Sequence, residues 1–393
     1  MLLGMAVSNL GVTMIWPFLM IFSSERLGMP LAAVAGLISI SSTCGLIASI
    51  AAGPLVDRYG RKWPMALSLM INALAYLGYL NANSYLQFAL LMGTVGLVSP
   101  FQSLGASAMI TDMFSGPKRT QAFAYYRMAY NVGLGFGPLL GGLAIRYSYH
   151  YGLLAAAVSL AIQGLITLVF IRETLTPEIR GSSLGILQNL AGMLQALRDK
   201  FFVHFLAAFT LMEICVAMMW VLLAVYVKTN FGIDELRYSL IPTTNALMVV
   251  FLQVFVTRNT SRRRETRVIA FSAVFYILTM LIVAFSQAFR GFWAAMGVMT
   301  FGELIFSPTA TNFVADLAPA DKRGRYLGLY GLIWYVATAT GPLGAGFLSD
   351  KFGHQTPWLA GAVLALLALI GFLLLDKRYR NREPRASAEP EHT

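Results

Sequence analysis

Charge is what this sequence has least of. Only 12% of its 393 residues are charged, about half the share usual in a soluble domain. Acidic groups are the scarcer kind, 18 against 29 basic ones. The two cysteines, Cys44 and Cys215, both fall inside apolar runs. They read as small hydrophobes, and neither a disulfide framework nor a metal site is visible. There is no G-x-x-x-x-G-K-[ST] phosphate loop, so nothing marks a nucleotide as energy source. No Ser-His-Asp, metal-ligand or paired-carboxylate constellation stands out on one face, which weighs against an enzyme. No long polar domain occurs, which weighs against a receptor. The formal charge of +11 would suit nucleic acid if the basic residues clustered in one patch. They lie instead in alternate short stretches between apolar runs, and no nucleic-acid partner is expected.

Hydrophobic residues make up 57% of the chain. They are gathered in runs of about 20, the length that crosses a bilayer as helix. A backbone facing lipid must satisfy its own hydrogen bonds, so these runs are helices and not strands. Twelve spans follow: 1–22, 31–52, 65–80, 86–109, 121–145, 152–171, 201–227, 238–256, 268–285, 291–314, 326–348 and 358–375. The opening run is long and lacks the basic flank and cleavage pattern of a secretory leader, so it is expected to be a first membrane helix. With the N-terminus inside, 22 of the 29 Lys and Arg fall on inner segments, six on outer ones, and Arg127 lies within a span. That bias predicts a multi-pass protein of the cell membrane with both termini cytoplasmic. The longest connection divides the chain: a six-helix bundle over 1–171, a cytoplasmic linker over 172–200, a second bundle over 201–375, and a disordered polar tail over 376–393. Leu184, Leu187, Leu190, Leu194 and Leu197 recur in the linker at helical spacing, which predicts an amphipathic helix on the inner face.

The two halves share a repeat. Asp112 to Gly142 aligns without gaps on Asp316 to Gly346, matching among others Tyr126 with Tyr330, Gly137 with Gly341, Pro138 with Pro342 and Gly142 with Gly346. The stretch 53–62 reads Gly-Pro-Leu-Val-Asp-Arg-Tyr-Gly-Arg-Lys and is expected to form a tight polar loop between antiparallel helices. Gly53 and Gly60 would permit backbone shapes closed to other residues. Asp57 could cap a helix. Arg58, Arg61 and Lys62 would hold the loop inside. The order G-x-L-x-D-R-x-G-R-K resembles the signature loop of the major facilitator superfamily of transporters. The fifth span carries Gly133, Gly137, Pro138, Gly141 and Gly142. Glycines four apart make a flat face that a neighbouring helix can approach. In sequence it resembles the antiporter signature of drug:proton exporters in that superfamily. Residues 341–346 are a weaker copy. The family's arginine in the fourth helix has no counterpart in Phe101–Gly105, and the five arginines of 257–267 lack the D-R-x-G-R pattern. The stretch 346–353, ending Asp350-Lys351-Phe352-Gly353, echoes the loop at the wrong end of its helix and reads as chance or a distant echo.

Only Glu213 and Glu303 among the acids lie deep in apolar runs. Each is about 18 Å into its span at helical rise. A charge there is expensive and by default marks a pathway; the bland alternative is a protonated glutamate bonded to a neighbouring helix. Residues 302–308, Gly-Glu-Leu-Ile-Phe-Ser-Pro, look like the tenth helix of multidrug:proton exporters, which makes Glu303 the first candidate for proton coupling, with Glu213 in support. Thr300, Ser307 and Thr311 share its stripe. Arg127 either snorkels to the inner surface or faces an acid, with Asn131 a turn further along. His204 reads as interfacial. Asn9, Trp16, Trp220, Asn245 and Trp334 are candidates for a substrate cavity that the 19 methionines would make adaptable.

The resemblance implies an all-α integral membrane protein: twelve transmembrane helices in two parallel six-helix repeats, the major facilitator fold. It implies a secondary transporter, proton-coupled and monomeric, that exports small amphipathic or cationic compounds across the lipid bilayer and needs no cofactor beyond the proton gradient. It also implies that Asp57 touches the inner end of span eleven and that Arg58 or Arg61 pairs with Asp112. Export of a particular metabolite, sugar or lipid is the alternative, and a non-transporting receptor a more distant one.

Overall fold

The structure is a computed structural model and describes residues 2–175, 185–260, 263–319 and 322–380. Among these every regular element is helical. The first span is α1 (Leu2–Ile15), a 3₁₀ turn over Trp16–Phe18 and α2 (Leu19–Leu27). Pro17 in the turn has no N–H to give the α-helical ladder, which accounts for the break. There follow α3 (Leu31–Tyr59), α4 (Lys62–Asn81), α5 (Tyr85–Met113), α6 (Gly116–Ile145) and α7 (Tyr149–Phe170). A short helix, α8 (Ile186–Ala196), precedes the second set: α9 (Lys200–Phe231), α10 (Glu235–Thr260), α11 (Glu265–Phe285), α12 (Phe289–Leu317), α13 (Arg323–Phe352) and α14 (Thr356–Arg380). Taking α1 and α2 as one span, there are twelve long spans, six on each side of α8. Ten are long and apolar enough to cross a membrane by length and composition. The other two, α12 and α13, are more polar, and α12 carries Thr300, Glu303, Ser307, Thr309 and Thr311 along its length.

Helices run further than hydropathy suggests. Residues 53–59, expected in a loop, continue α3, so Gly53 and Asp57 are helical. Only at Gly60, with φ of 104°, does the chain turn, a conformation that favours glycine. α14 likewise continues to Arg380, past the expected start of the tail at 376; residues 381–393 lie outside the described residues, as does Leu184 of the linker. In α8 the described leucines are split: Leu190 is half-buried, while Leu194 and Leu197 are exposed.

Within the first half α1 packs on α6 and α7, α3 on α5, and α4 on α5 and α7; in the second, α9 packs on α13 and α14, and α11 on α12 and α14. The halves meet along two long seams, α3 with α13 and α6 with α10. The Gly133, Gly137 and Gly141 face lies against α1. A Cβ on Gly137 would sit 1.9 Å from Thr13 Oγ1, and one on Gly141 1.9 Å from the Met14 carbonyl. Thr13 Oγ1 donates to the Gly133 carbonyl at 2.7 Å. The weaker copy behaves alike: Gly341 faces Ile214 of α9. The adjoining repeat pair serves the seams, Gly142 against Glu235 and Leu236 of α10 and Gly346 against Leu31 and Ala32 of α3.

We call the end carrying Arg61 and α8 the basic end, and the other the far end. Seam contacts such as Gly346–Ala32, Ser39 Oγ donating to the Ala339 carbonyl at 2.6 Å, and Gly142–Glu235 lie toward the far end. At the basic end α8 stands between α3 and α13: Asn189 Nδ2 donates to the Ile50 carbonyl at 3.5 Å and Arg325 Nη1 to Gln195 Oε1 at 3.0 Å. The halves are closed together at the far end.

Packing this tight makes a sharp prediction. Gly137→Ala places a methyl into Thr13 and should destabilise by about 1–3 kcal/mol, the usual cost of overpacking. Gly344→Ala, in the second copy, meets nothing within 4 Å and should be neutral. Thermal unfolding of both proteins in detergent checks the contrast; equal midpoints would contradict it.

Candidate functional site

Glu303 sits midway along α12. Its Oε2 accepts from Asn245 Nδ2 of α10 at 2.8 Å, and the same nitrogen donates to Thr300 Oγ1 at 3.0 Å. Thr300 in turn donates to the Met296 carbonyl at 2.7 Å, so its hydroxyl is fully used. Asn245 is buried and Thr300 wholly so. They form a buried support that holds the Glu303 carboxylate, and a buried amide of this kind needs those partners. Arg127, on α6 of the other half, is exposed and close enough for its charge to act on Glu303. Tyr130, one turn along α6, lies near the same carboxylate. Glu213 on α9 is also within electrostatic reach of Glu303. Two carboxylates and one guanidinium thus share one region at mid-depth, contributed by α6, α9 and α12.

Other expected cavity residues divide. Ser307 is exposed on α12, and Asn131, Trp220 and Trp334 are half-buried. Asn9 belongs to the α1–α6 contact, where its Cβ and backbone face Gly133. Trp16 forms the 3₁₀ break of the first span. His204 engages the Lys200 carbonyl one turn back and lies 3.3 Å from Arg378 Nη1. The sequence reading missed Tyr276, whose buried hydroxyl has no partner and lies near both Glu303 and Glu213. It missed Tyr130 as well, although three-residue spacing from Arg127 puts the two on one helical face.

A second cluster closes the basic end of the first half. Arg61 is 4% exposed. Its Nη2 lies 3.0 Å from Asp57 Oδ1, and its Nε lies 3.0 Å from Asp112 Oδ2. The Nε contact is ionic without hydrogen-bond alignment. Arg58 stacks on Tyr59, and Lys62 on Trp63. So Arg61 is the partner of Asp112, and Asp57 holds Arg61 rather than the expected end of span eleven. Glu173, not expected from sequence, completes the site. Its carboxylate accepts from the backbone N–H of Arg61 (2.9 Å), Lys62 (3.1 Å), Thr174 (2.9 Å) and Leu175 (3.0 Å). Thr174 Oγ1 donates to Asp112 Oδ2 at 2.9 Å. Gly60 must be glycine here twice over, since a Cβ would meet Glu173 Oε2 at 2.3 Å. Partial burial pushes the Glu173 carboxyl upward, but the four N–H donors outweigh it and hold the group below its usual range.

The far end is held by a third set. Asp350 of α13 accepts from Leu31 N at 3.3 Å and Ala32 N at 2.9 Å, the free N–H groups that open α3. Lys228 of α9 pairs with Glu25 of α2 and Glu235 of α10, and Tyr149 of α7 donates to Glu235. Each of these contacts except Lys228–Glu235 crosses between halves. In the stretch that echoes the loop, the acid Asp350 thus caps a helix of the partner half.

Two measurements follow. A carboxyl held below its unfolded value stabilises fully above about pH 4.3 and loses that contribution as pH falls through the folded value. The unfolding midpoint of Glu173→Gln should therefore lie below wild type at pH 7 and converge with it as pH falls through the folded value; a gap that does not narrow in acid would oppose this. For the far end, Lys228→Gln should raise the reactivity of a Ser39→Cys thiol, with Cys44 and Cys215 replaced by serine, by at most about fivefold toward an impermeant reagent. Unchanged reactivity would remove Lys228 from the closure.

The Major Facilitator Superfamily family model matches residues 1–226 and again 205–393. A Na(+), Li(+), K(+)/H(+) antiporter of Planococcus maritimus is 26% identical over 96% of this chain and 96% of its own length. The class H tetracycline resistance protein of Pasteurella multocida is 25% identical over 86% of this chain and 84% of its own. The crystal structure of a mutant of the nucleoside transporter NupG superposes with a TM-score of 0.80 at 14% identity, covering 95% of this chain and 99% of that one. With two six-helix sets meeting along paired seams, and with both matched by that family model, this multi-pass membrane protein belongs to the Major Facilitator Superfamily of transporters.

Proposed function

We propose that the protein is a proton-coupled antiporter that exports small amphipathic or cationic compounds, with Glu303 as the group that exchanges proton for substrate. The observation that carries the reading is the placement of Glu303: mid-helix, held by Asn245 at 2.8 Å, and within electrostatic reach of Arg127 in the other half. A carboxylate at mid-depth is costly unless it serves a pathway. Asn245 fixes its orientation in either protonation state, donating to the charged form and to the carbonyl oxygen of the neutral one. Arg127 and Glu213 set the local charge balance, so a cation arriving near Glu303 favours loss of its proton, and a proton arriving favours loss of the cation. The gradient is then the only energy source needed, and one chain contains the whole path.

The units that move are the bundles of 1–171 and 201–375, with 172–200 linking them. The basic end faces the cytoplasm. The far-end contacts of Asp350, Lys228 and Glu235 hold the state open toward the inside. The Asp57–Arg61–Asp112–Glu173 cluster shapes the loop that docks when the inside closes. The Na(+), Li(+), K(+)/H(+) antiporter relative supports exchange of a cation for protons, and the tetracycline resistance relative supports a drug as substrate. Export of a specific metabolite, sugar or lipid is the alternative, and the same assay separates it.

Glu303→Gln keeps the shape and the Asn245 contact while removing the titrating group. In vesicles with an imposed pH gradient, export of a lipophilic cation should fall at least about tenfold in Glu303→Gln, equivalent to about 1.4 kcal/mol on the barrier. Binding of neutral compounds should survive. Glu213→Gln should reduce coupling less. Full gradient-driven export by Glu303→Gln would make the residue a structural hydrogen-bonding group, and export of neutral compounds only would favour the metabolite reading.

A further inference from the structure

The arginine-rich stretch between α10 and α11 plays no part in the transport path described above. In the first half, the equivalent connection buries its arginine among its own acids, Asp57 and Asp112. In the second, the groups are arranged differently. A groove of about 770 Å³ opens between the end of α10 and the start of α11, within the range of about 300–1,000 Å³ typical of small-ligand sites. Its upper rim is Asn259, Arg263, Arg264 and Arg267; its lower wall includes Phe255 and Phe271. Arg264 and Arg267 share one carboxylate, that of Asp376 on α14, at 3.7 and 3.5 Å. That carboxylate also accepts from Thr266 Oγ1 at 2.5 Å. Arg264 and Arg267 thus reach the same acid, and Arg263 stands beside them on the rim. Below the rim the surface turns apolar and outward: Phe255 is 73% exposed and Phe271 57%, on spans that cross the membrane.

We propose that this groove binds the headgroup of an anionic glycerophospholipid from the adjoining leaflet, with the phosphate on Arg263 and Arg267 and an acyl chain along Phe255 and Phe271. Guanidinium forks match phosphate oxygens in pairs, and basic pockets between helices at this depth suit such headgroups. A soluble anion would use the arginines alone and leave the aromatic wall bare.

The test uses the full-length protein, delipidated in detergent, with dioleoyl-phosphatidylglycerol, dioleoyl-phosphatidylcholine and inorganic phosphate as probes and native mass spectrometry as readout. Wild type should retain the glycerol lipid over the choline lipid, and inorganic phosphate should not displace it. Arg263→Gln with Arg267→Gln leaves the Arg264–Asp376 pair in place and should weaken retention about fivefold per arginine. Phe255→Asn, at an exposed position that folding does not need, should weaken lipid retention too. Lipid-free unfolding midpoints check that the variants are folded. Equal retention of both lipids, retention unchanged in the double variant or in Phe255→Asn, or displacement by inorganic phosphate would each overturn the assignment, the last in favour of a plain anion site.

Discussion

Close approach between helix backbones is the constraint on which the architecture rests. Within a bilayer, helices gain little from hiding apolar surface from each other, because lipid is as apolar as they are. What remains is contact, and contact is greatest where side chains are smallest. α6 meets α1 through Gly133, Gly137 and Gly141, while Gly142 on its other side meets α10. α13 repeats the arrangement toward α9 and α3 through Gly341 and Gly346. One helix in each half thus packs its own half with one face and the opposite half with another. A change in how the halves meet must pass through these two helices.

Charge is distributed around that frame in three places, each solved differently. At mid-depth, Glu303 accepts from Asn245 and lies within electrostatic reach of Arg127. At the basic end Arg61 is buried and doubly paired. Losing one partner of such a pair costs about 3–5 kcal/mol, so this cluster is built to persist. At the far end Asp350 binds the open N–H groups of α3, and Lys228 bridges Glu25 and Glu235. These contacts are partly exposed and cross between halves, which is what a reversible closure requires.

The repeat also shows where the halves diverge. Tight packing positions are kept in both: the pairs Gly137/Gly341, Pro138/Pro342 and Gly142/Gly346 occupy like places. Charged positions are not. The first half keeps an internally balanced loop, whereas the second presents arginines beside an aromatic wall at the membrane surface. Packing is dictated by geometry common to both bundles; charge is free to be spent on the surroundings of each.

The sequence by itself determined the class of fold. Long apolar runs can only be helices in lipid, and their number, the repeat and the 53–62 pattern are all local or periodic signals. It also picked out Glu303 and Glu213, because an acid amid apolar residues is visible without any coordinates. Helix ends were less legible. Residues 53–59 carry loop-like polarity yet stay helical beyond the apolar run, and only Gly60 stops them. Partnerships between distant positions were left to the tertiary structure. Asn245 lies 58 residues from Glu303, and Glu173 lies 112 from Arg61. Asp350 reaches across more than 300 residues to cap α3. No spacing rule links such positions, because hydrogen bonding is decided by which helix faces meet, and that is fixed only when all twelve spans pack at once.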